Sequence, residues 1–207
     1  MKIYSARKFY KKTPIQKLID IVCIPLIYTL PHEILTGMGL TSLRDERINI
    51  CLANAKGHIL DIGCGEGNYL IKKWNDGIGV DVFPWDGVDK VIDTTKLPFD
   101  DESFDTVTML AVINHIVQRK QVLDECYRVL KKNGRILMTI PYPLVSFLRH
   151  KLAIWDKDQT VRGMSEGEVY GFSESEISHM LQSSKFDFMG HKKFALGLNH
   201  LYIGVKN

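Results

Sequence analysis

The sequence is poor in cysteine, and its four cysteines, at positions 23, 51, 64 and 126, form no CxxC pair. We therefore expect neither a structural zinc site nor a disulfide framework, and we expect a reducing compartment. Proline and glycine, with 7 and 16 residues among 207, are too sparse for a collagenous or disordered chain. With 45% apolar and 25% charged residues, the composition is that of one globular domain with room for an appendage.

A membrane-spanning run is missing from the N-terminal part. The apolar stretch over residues 21–30 is ten residues long and is interrupted by Pro25. A helix needs about 20 apolar residues to cross a bilayer, so we predict no transmembrane helix there. We do not predict a secretory signal either, because Asp20 interrupts the approach and no small-residue cleavage site precedes Pro31.

Acidic residues are absent from residues 1–17, which contain six basic ones. These are Lys2, Arg7, Lys8, Lys11, Lys12 and Lys17. Since the whole chain carries a formal charge of +3, the remainder carries −3. We favour an N-terminal helix packed on the domain, and two alternatives stay open. The segment rests on an anionic membrane face, or it covers an apolar substrate pocket.

The hydrophobic pattern divides the chain into two parts. We predict an N-terminal helical extension over residues 1–56, whose last helix begins after Thr41 or Ser42 and ends near Ala53. One further domain follows over residues 57–207. Its first predicted strands cover residues 58–62, 77–81, 88–92, 104–111 and 135–140.

Helices alternate with these strands, which is typical of a parallel sheet covered on both faces. The clearest helix is predicted to continue through Lys132 to a stop at Asn133-Gly134. Residues 186–194 and 200–205 predict a closing antiparallel pair. The predicted fold class is therefore α/β, a doubly wound, Rossmann-like fold. Its seven-stranded sheet is mostly parallel, with an antiparallel C-terminal strand.

The segment 142–172 is too long for a plain connection and is rich in aromatic and charged residues. We therefore expect it to be an insertion that covers the substrate. Ser173 and Glu176 follow it with the spacing of a capping box, which predicts the start of another helix.

A glycine-rich loop follows the first predicted strand, where a doubly wound sheet holds its cofactor. The loop reads Asp61-Ile-Gly63-Cys-Gly65-Glu-Gly67. A dinucleotide site uses G-x-G-x-x-G, but here the third glycine comes one residue early. Charge argues harder against a pyrophosphate, because Asp61 and Glu66 would repel it.

Two more acidic residues end the next strands. Asp81 lies 20 residues after Asp61, the separation at which a carboxylate usually accepts from ribose hydroxyls, and Asp93 follows the third strand. An adenosine that carries positive charge and no phosphate would satisfy these acids. S-adenosylmethionine is such a ligand.

Five ordered motifs over residues 57–190 make the chain resemble the class I S-adenosylmethionine-dependent methyltransferases, in particular the small type 11 domain. The motifs are ILDIGCGEG, GVDV, LPFDDESFDTV, AVINHI and RVLKKNGRIL. The stretch Lys132-Asn133-Gly134 departs from the Pro-Gly-Gly usual in the family, at a turn that is not expected to touch the ligand.

The resemblance implies a set of cofactor-binding positions. They are Asp61, Gly63, Gly65, Gly67, Asp81, Val82, Asp93, Thr94 and Ala111. In this family the glycines let the backbone approach the methionine part, and the first acid orients the loop or the amino group. Asp81 resembles the ribose ligand, Asp93 with Thr94 the reader of adenine, and Ala111 the place where the chain passes the sulfonium.

Three more residues are candidates near this site. His115 follows the fourth strand and is our candidate general base, with a packing or capping histidine as the alternative. Arg44 and Arg47 lie on the helix before the first strand, and either is a candidate for the cofactor carboxylate or a solvated helix charge.

The leading hypothesis is an S-adenosylmethionine-dependent methyltransferase that transfers a methyl group by in-line displacement to a small-molecule or lipid-like acceptor. We expect it to be cytoplasmic, with peripheral membrane contact through the basic N-terminus left open. RNA methylation is an alternative, but the body is acidic, so a nucleic-acid partner is not expected. A cofactor-binding protein without turnover and a nicotinamide oxidoreductase are two further hypotheses.

Overall fold

The computed structural model describes residues 12–144, 146–147 and 166–207. These residues form one seven-stranded sheet. Its strands are β1 (Ile59–Ile62), β2 (Gly77–Asp81), β3 (Lys90–Val91), β4 (Phe104–Leu110), β5 (Leu130–Pro141), β6 (Asp187–Phe194) and β7 (Asn199–Val205).

The sheet has the strand order β3-β2-β1-β4-β5-β7-β6. Every pair is parallel except those that β7 makes with β5 and β6. The predicted fold class is thus confirmed, including the antiparallel strand near the C-terminus. The direction of winding reverses between β1 and β4, and ligands of doubly wound sheets bind outside the carboxyl ends of the strands at such a point.

The described residues form seven α-helices, of which the first four precede the first strand. They are α1 (Pro14–Val22), α2 (Ile24–Thr29), α3 (His32–Gly37), α4 (Leu43–Leu52), α5 (Tyr69–Trp74), α6 (Arg119–Val129) and α7 (Glu174–Ser183). None of them has both the length and the apolar composition needed to cross a membrane.

The core lies on both sides of the sheet because successive strand residues point to opposite faces. In β1, Ile59 packs in the apolar cluster that contains Trp74 of α5. Its neighbour Leu60 packs in the cluster that contains Leu123 of α6. All four residues of β1 are buried, which explains why this strand shows no polar alternation.

Two helix starts follow the predicted capping chemistry. Ser42 precedes α4, and its hydroxyl accepts from the N–H of Asp45 at 3.1 Å. Ser173 precedes α7 in a full capping box, in which Glu176 accepts from the N–H of Ser173 at 2.7 Å. The predicted caps at these two positions are confirmed.

The predicted end of the fourth-to-fifth-strand helix is wrong. Helix α6 ends at Val129, and Leu130 already begins β5, so Lys131 and Lys132 belong to the strand. Leu130 pairs with Phe104 and Arg135 pairs with Thr106, so the residues between them form a bulge. The basic residues and Asn133-Gly134 imitate a helix end, but the pairing with β4 decides the structure.

The third strand is shorter than predicted and reduces to Lys90–Val91 at the edge of the sheet. Asp89 lies outside the strand, and its side chain binds β2, since its Oδ2 accepts from the N–H of Gly79 at 2.7 Å.

Helix α1 contacts the rest of the protein through polar side chains. Asp20 is its buried residue. The Lys12 Nζ donates to Asp20 Oδ2 at 2.5 Å and also pairs with Glu46 of α4. Apolar residues of α1 such as Leu18 are exposed instead.

Candidate active site

A cavity of about 780 Å³ opens at the carboxyl ends of β1, β2 and β4. Its size lies within the range usual for small-molecule sites. Apart from Gly67, every predicted site residue lines it, namely Asp61, Gly63, Gly65, Asp81, Val82, Asp93, Thr94, Ala111 and His115.

The glycine loop brings bare backbone to the cavity. Gly65 has a φ of +63°, and a Cβ at this position would meet no atom within 4 Å, so the space above it belongs to the cavity. Gly63 has a φ of +69°, and a Cβ there would collide with the side chain of Val112. Two glycines are therefore needed for different reasons, one to leave room and one to let the chain after β4 pass close by.

Gly67 has a supporting position outside the described cavity wall. Its N–H donates to the carbonyl of Asp86 at 2.7 Å, and a Cβ would collide with the ring of Tyr69. Gly67 precedes α5 and does not line the cavity, and its predicted contact with the cofactor stays a prediction.

Asp81 ends β2 and fixes the glycine loop from below. Its Oδ2 accepts from the N–H of Gly65 at 3.0 Å, and its Oδ1 accepts from the N–H of Phe83 at 3.0 Å. The side chain is buried and faces the cavity. Each carboxylate oxygen has more than one lone pair, so this residue can accept further hydrogen bonds from a ligand.

Asp61 is a buried carboxyl group of β1. Its register partner Thr108 in β4 donates its hydroxyl to Asp61 Oδ1 at 2.6 Å. Burial raises the pKa of Asp61 to about 7, against the effect of the Thr108 hydrogen bond, and the nearby Asp81 carboxylate adds to the rise. A cation in the cavity would favour the charged form of Asp61.

Asp93 and Thr94 follow β3 and line the cavity. Asp93 is exposed, and its Oδ1 accepts from the hydroxyl and the N–H of Thr95 at 2.6 and 2.8 Å. These bonds hold the pKa of Asp93 below its usual range. Thr94 is buried beside it.

The chain after β4 is held in an unusual conformation. Ala111 has a φ of +59°, which is uncommon for a residue with a Cβ, and its N–H donates to the carbonyl of Thr139 at 2.8 Å. Such backbone is concentrated at functional sites, because the surrounding structure has to hold it in place.

His115 ends a short 3₁₀ turn, Ile113–His115, and its ring is directed by a carboxylate. The distance from His115 Nδ1 to Glu168 Oε2 is 2.7 Å, and both side chains are largely buried. An ionised Glu168 can only accept, so a neutral His115 paired with it would carry its proton on Nδ1 and its lone pair on Nε2. The N–H of Val169 donates to the carbonyl of Asn114, which fixes the same segment.

Arg44 and Arg47 both line the cavity but have different surroundings. The Arg44 guanidinium lies 4.0 Å from the ring centre of Tyr69, and its buried Nε and Nη2 have no hydrogen-bond partner in the described part of the chain. Arg47 donates from Nε and Nη2 to Asn199 Oδ1 at 3.1 and 3.0 Å.

The family model of the methyltransferase domain matches residues 60–138, which include the glycine loop, Asp81 and His115. Residues 60–138 therefore match a methyltransferase domain of the type that the motifs predicted. S-adenosylmethionine is the cofactor of such domains, so the enzyme class and the cofactor predicted from the motifs are confirmed.

Curated relatives of this methyltransferase domain include two proteins that act in quinone chemistry by name. A ubiquinone/menaquinone biosynthesis C-methyltransferase from Desulfotalea psychrophila is 32% identical over 139 residues, covering 60% of this chain and 56% of the relative. A demethylmenaquinone methyltransferase from Clavibacter sepedonicus is 30% identical over 128 residues, covering 55% of this chain and 52% of the relative. The chain thus spans about half the length of these relatives.

A solved structure of a SAM-dependent methyltransferase from Methanosarcina mazei has the same fold. Its TM-score is 0.53 at 22% sequence identity, and the match covers 72% of this chain and 92% of that chain.

Several cavity-lining residues of this domain were not among the residues predicted for the site. Glu168 is 53 positions from His115, and Trp85 lies in the loop after Asp81. Leu30, Pro31, His32 and Glu33 bring the N-terminal helices to the cavity wall. The sequence gives no sign that Glu168 pairs with His115. Trp85, by contrast, follows Asp81 by four residues, and its closeness to that acid was a signal that could have been used.

Proposed function

We propose that this protein transfers a methyl group from S-adenosylmethionine to a small, ring-shaped acceptor of the hydroquinone type, with or without a lipid tail. The observation that carries the proposal is the cavity itself. Its lining combines the acidic glycine loop with the His115–Glu168 pair.

The residues present fit the cofactor group by group. Asp61 and Asp81 offer negative charge to a ligand with an ammonium and a sulfonium. The orphaned nitrogens of Arg44 suit a carboxylate, which accepts two parallel hydrogen bonds from a guanidinium. The space above Gly65 admits a ligand close to the backbone.

The cofactor supplies an electrophilic methyl group on a positively charged sulfur, which leaves as a neutral thioether. The protein has to hold the acceptor in line behind that methyl group, and such positioning contributes about 7–11 kcal/mol to lowering the barrier. Ala111, held at positive φ after β4, and Gly63 line the cavity and would help to hold the methionine part of the cofactor.

His115 is the proposed general base. Its Nε2 accepts the proton of an acceptor hydroxyl, and Glu168 stabilises the resulting imidazolium through Nδ1. Loss of that proton makes the ring carbon beside the hydroxyl electron-rich, so that this carbon attacks the methyl group. The methylated ring carbon then loses its own proton to solvent as aromaticity is restored, and the His115 imidazolium returns its proton to the ring oxygen, so that one proton is released for each methyl group transferred.

The hydroquinone-type acceptor is supported by two observations. Relatives that match the domain are named for methylation in ubiquinone and menaquinone biosynthesis. The cavity lining includes apolar residues, among them Leu30, Ile116 and Val117, which suit an aromatic ring with an apolar substituent.

The test is a methyl-transfer assay with labelled S-adenosylmethionine and a short-chain 1,4-naphthohydroquinone as the probe. We expect label on a ring carbon. His115→Gln should lower kcat by about 10²–10⁴-fold while the cofactor affinity stays unchanged. His58→Gln is the matched control, because His58 Nδ1 lies 2.6 Å from the Asp76 carboxylate outside the cavity.

Full turnover by His115→Gln would contradict the general-base role. Tight cofactor binding without transfer to a panel of hydroquinone, catechol and carboxylate acceptors would favour a binding protein without turnover. Glu168→Gln separates positioning from catalysis, since it should shift the pH profile of kcat rather than abolish turnover.

A further inference from the structure

Helix α1 is amphipathic, and its apolar side faces solvent. Ile15, Leu18, Ile19 and Val22 recur at the three- and four-residue spacing that places side chains on one face of a helix. Their exposed fractions are 72%, 64%, 41% and 72%. We call these four residues the outer face of α1. Large apolar groups in such a contiguous arrangement mark a binding surface.

The orientation of α1 is fixed by charge on its other side. Asp20 lies about 140° around the helix from Ile15, at 100° per residue, and is buried against the body. The Gln16 amide donates to Asp20 Oδ1 at 2.8 Å, while Lys12 joins Asp20 to Glu46. Turning the outer face inward would break this cluster and leave buried carboxylates without a partner.

Exposed apolar residues continue toward the cavity. Ile34 of α3 and Met38, the residue directly after α3, are about half exposed. Helix α3 begins at His32, which lines the cavity together with Leu30 and Glu33. The chain that carries these exposed apolar residues therefore also contributes to the cavity wall.

The charge of the N-terminal sequence selects the partner. Residues 1–17 contain six basic residues and no acid; Lys12 is paired with Asp20 and Glu46, and Lys17 of α1 is exposed. A second copy of this chain would bring the same basic segment against itself in a two-fold pair, which repels. An anionic lipid surface attracts it, and an in-plane helix with an apolar face and basic flanks is the usual element that binds there.

We infer that α1 docks the protein on an anionic bilayer, with the outer face in the lipid interface. Nine residues are too few to cross the membrane, so the helix lies in its plane. The inference rests on the proposed function in one respect only, namely that a lipid-like acceptor in the bilayer would be close to the cavity.

The experiment is co-sedimentation of the full chain with two kinds of vesicle, phosphatidylcholine alone and phosphatidylcholine with phosphatidylglycerol. We expect binding to the anionic vesicles that weakens as salt is raised. The double variant Leu18→Glu, Val22→Glu should bind about 100-fold more weakly, because each buried side chain contributes roughly tenfold. Met189→Glu is the control, since Met189 is 66% exposed on β6, and should bind like the wild type.

Three results would overturn the inference. They are no wild-type binding to anionic vesicles, equal binding by the α1 variant, and a wild-type dimer in solution that the α1 substitutions convert to a monomer without any effect of vesicles. Calorimetry with S-adenosylmethionine shows whether the variant still has an intact cofactor site. A protein that binds vesicles but transfers no methyl group would contradict the proposed function and leave the docking inference standing.

Discussion

The glycine loop and helix α1 use buried carboxylates in opposite ways. Beside the loop, Asp61 accepts from the Thr108 hydroxyl and Asp81 accepts from the N–H of Gly65. Both carboxylates face the cavity, so part of their hydrogen-bonding capacity stays available to a ligand. In α1, Asp20 faces the body and is taken up by Lys12 and Gln16. The comparison shows that a buried acid indicates a ligand site only where open space lies beside it.

The largest effect is expected from replacing a glycine in the glycine loop, with the same exchange at Gly39 as the control. Gly39 follows α3, and its carbonyl accepts from the Gln16 amide of α1. Gly65 and Gly39 have similar φ values, +63° and +72°, and a Cβ at either would meet nothing within 4 Å. Valine at either position should cost about 1–3 kcal/mol of folding free energy because of the positive φ. Only Gly65→Val should also lose S-adenosylmethionine affinity, by more than about 100-fold, because only its side chain would fill the cavity.

Calorimetric titration of both variants, after thermal melting has shown that they fold, measures this difference. Equal affinity losses in Gly65→Val and Gly39→Val would mean that general strain, rather than occupied space, explains the effect.

Asp81→Asn should give the next largest effect. It removes a charge and an acceptor next to Gly65, so we expect S-adenosylmethionine affinity to fall by about 10–100-fold, which corresponds to about 1.4–3 kcal/mol. Asp86→Asn, in the exposed loop five residues later, should bind as the wild type does. Unchanged affinity in Asp81→Asn would remove the proposed ribose contact.

Asp20→Asn tests the other side of the comparison. Lys12 would keep Glu46 but lose one carboxylate charge, and we expect the docking of α1 to weaken by about 1–3 kcal/mol. Amide hydrogen exchange should show faster exchange over Pro14–Val22 with little change in the sheet. If α1 keeps its protection, the charge cluster does not fix its orientation.

The smallest effect is a pH dependence from Asp61. The pKa of Asp61 is raised to about 7 in the folded protein, so the unfolded chain ionises at lower pH. The contribution of Asp61 to folding stability therefore falls as the pH rises from about 4 to about 7, and it stays low above pH 7. A cationic ligand favours the ionised form. Cofactor affinity should therefore rise by about tenfold from pH 6 to pH 8, with release of a proton near pH 7.

Calorimetry in buffers of different ionisation enthalpy counts that proton. Thr108→Val removes the hydrogen bond that lowers the pKa of Asp61, so the rise in affinity should move to higher pH. An affinity that does not vary over this range would mean that Asp61 is not coupled to the ligand charge.

The parts of the molecule that were predictable from the sequence are those with local causes. The buried run before Gly63, the acid at Asp81 and the capping pair Ser173–Glu176 each have a pattern within a few residues, and the structure has them as expected. The end of α6 was not predictable in this way, since the pairing of Leu130 with Phe104 is set by the sheet.

Contacts distant in sequence were also beyond pattern reasoning. The Glu168 carboxylate that directs His115 is 53 positions away. Gly79 is required because a Cβ there would collide with the side-chain amide of Asn68, which only the packed loop reveals. The apolar residues of the outer face of α1 recur as they do in a helix whose apolar side is packed on the core. Only the structure, in which Asp20 is the buried residue, shows that the polar side faces the body.

The central claim is that an acidic cavity selects a positively charged adenosyl donor. The most direct measurement is calorimetric titration of the protein with S-adenosylmethionine and, separately, with NADH at about pH 7.5, where Asp61 is mostly ionised. We predict saturable binding of S-adenosylmethionine and no measurable heat of binding with NADH, whose pyrophosphate would meet Glu66 and Asp81. Tight binding of NADH without binding of S-adenosylmethionine would contradict the account.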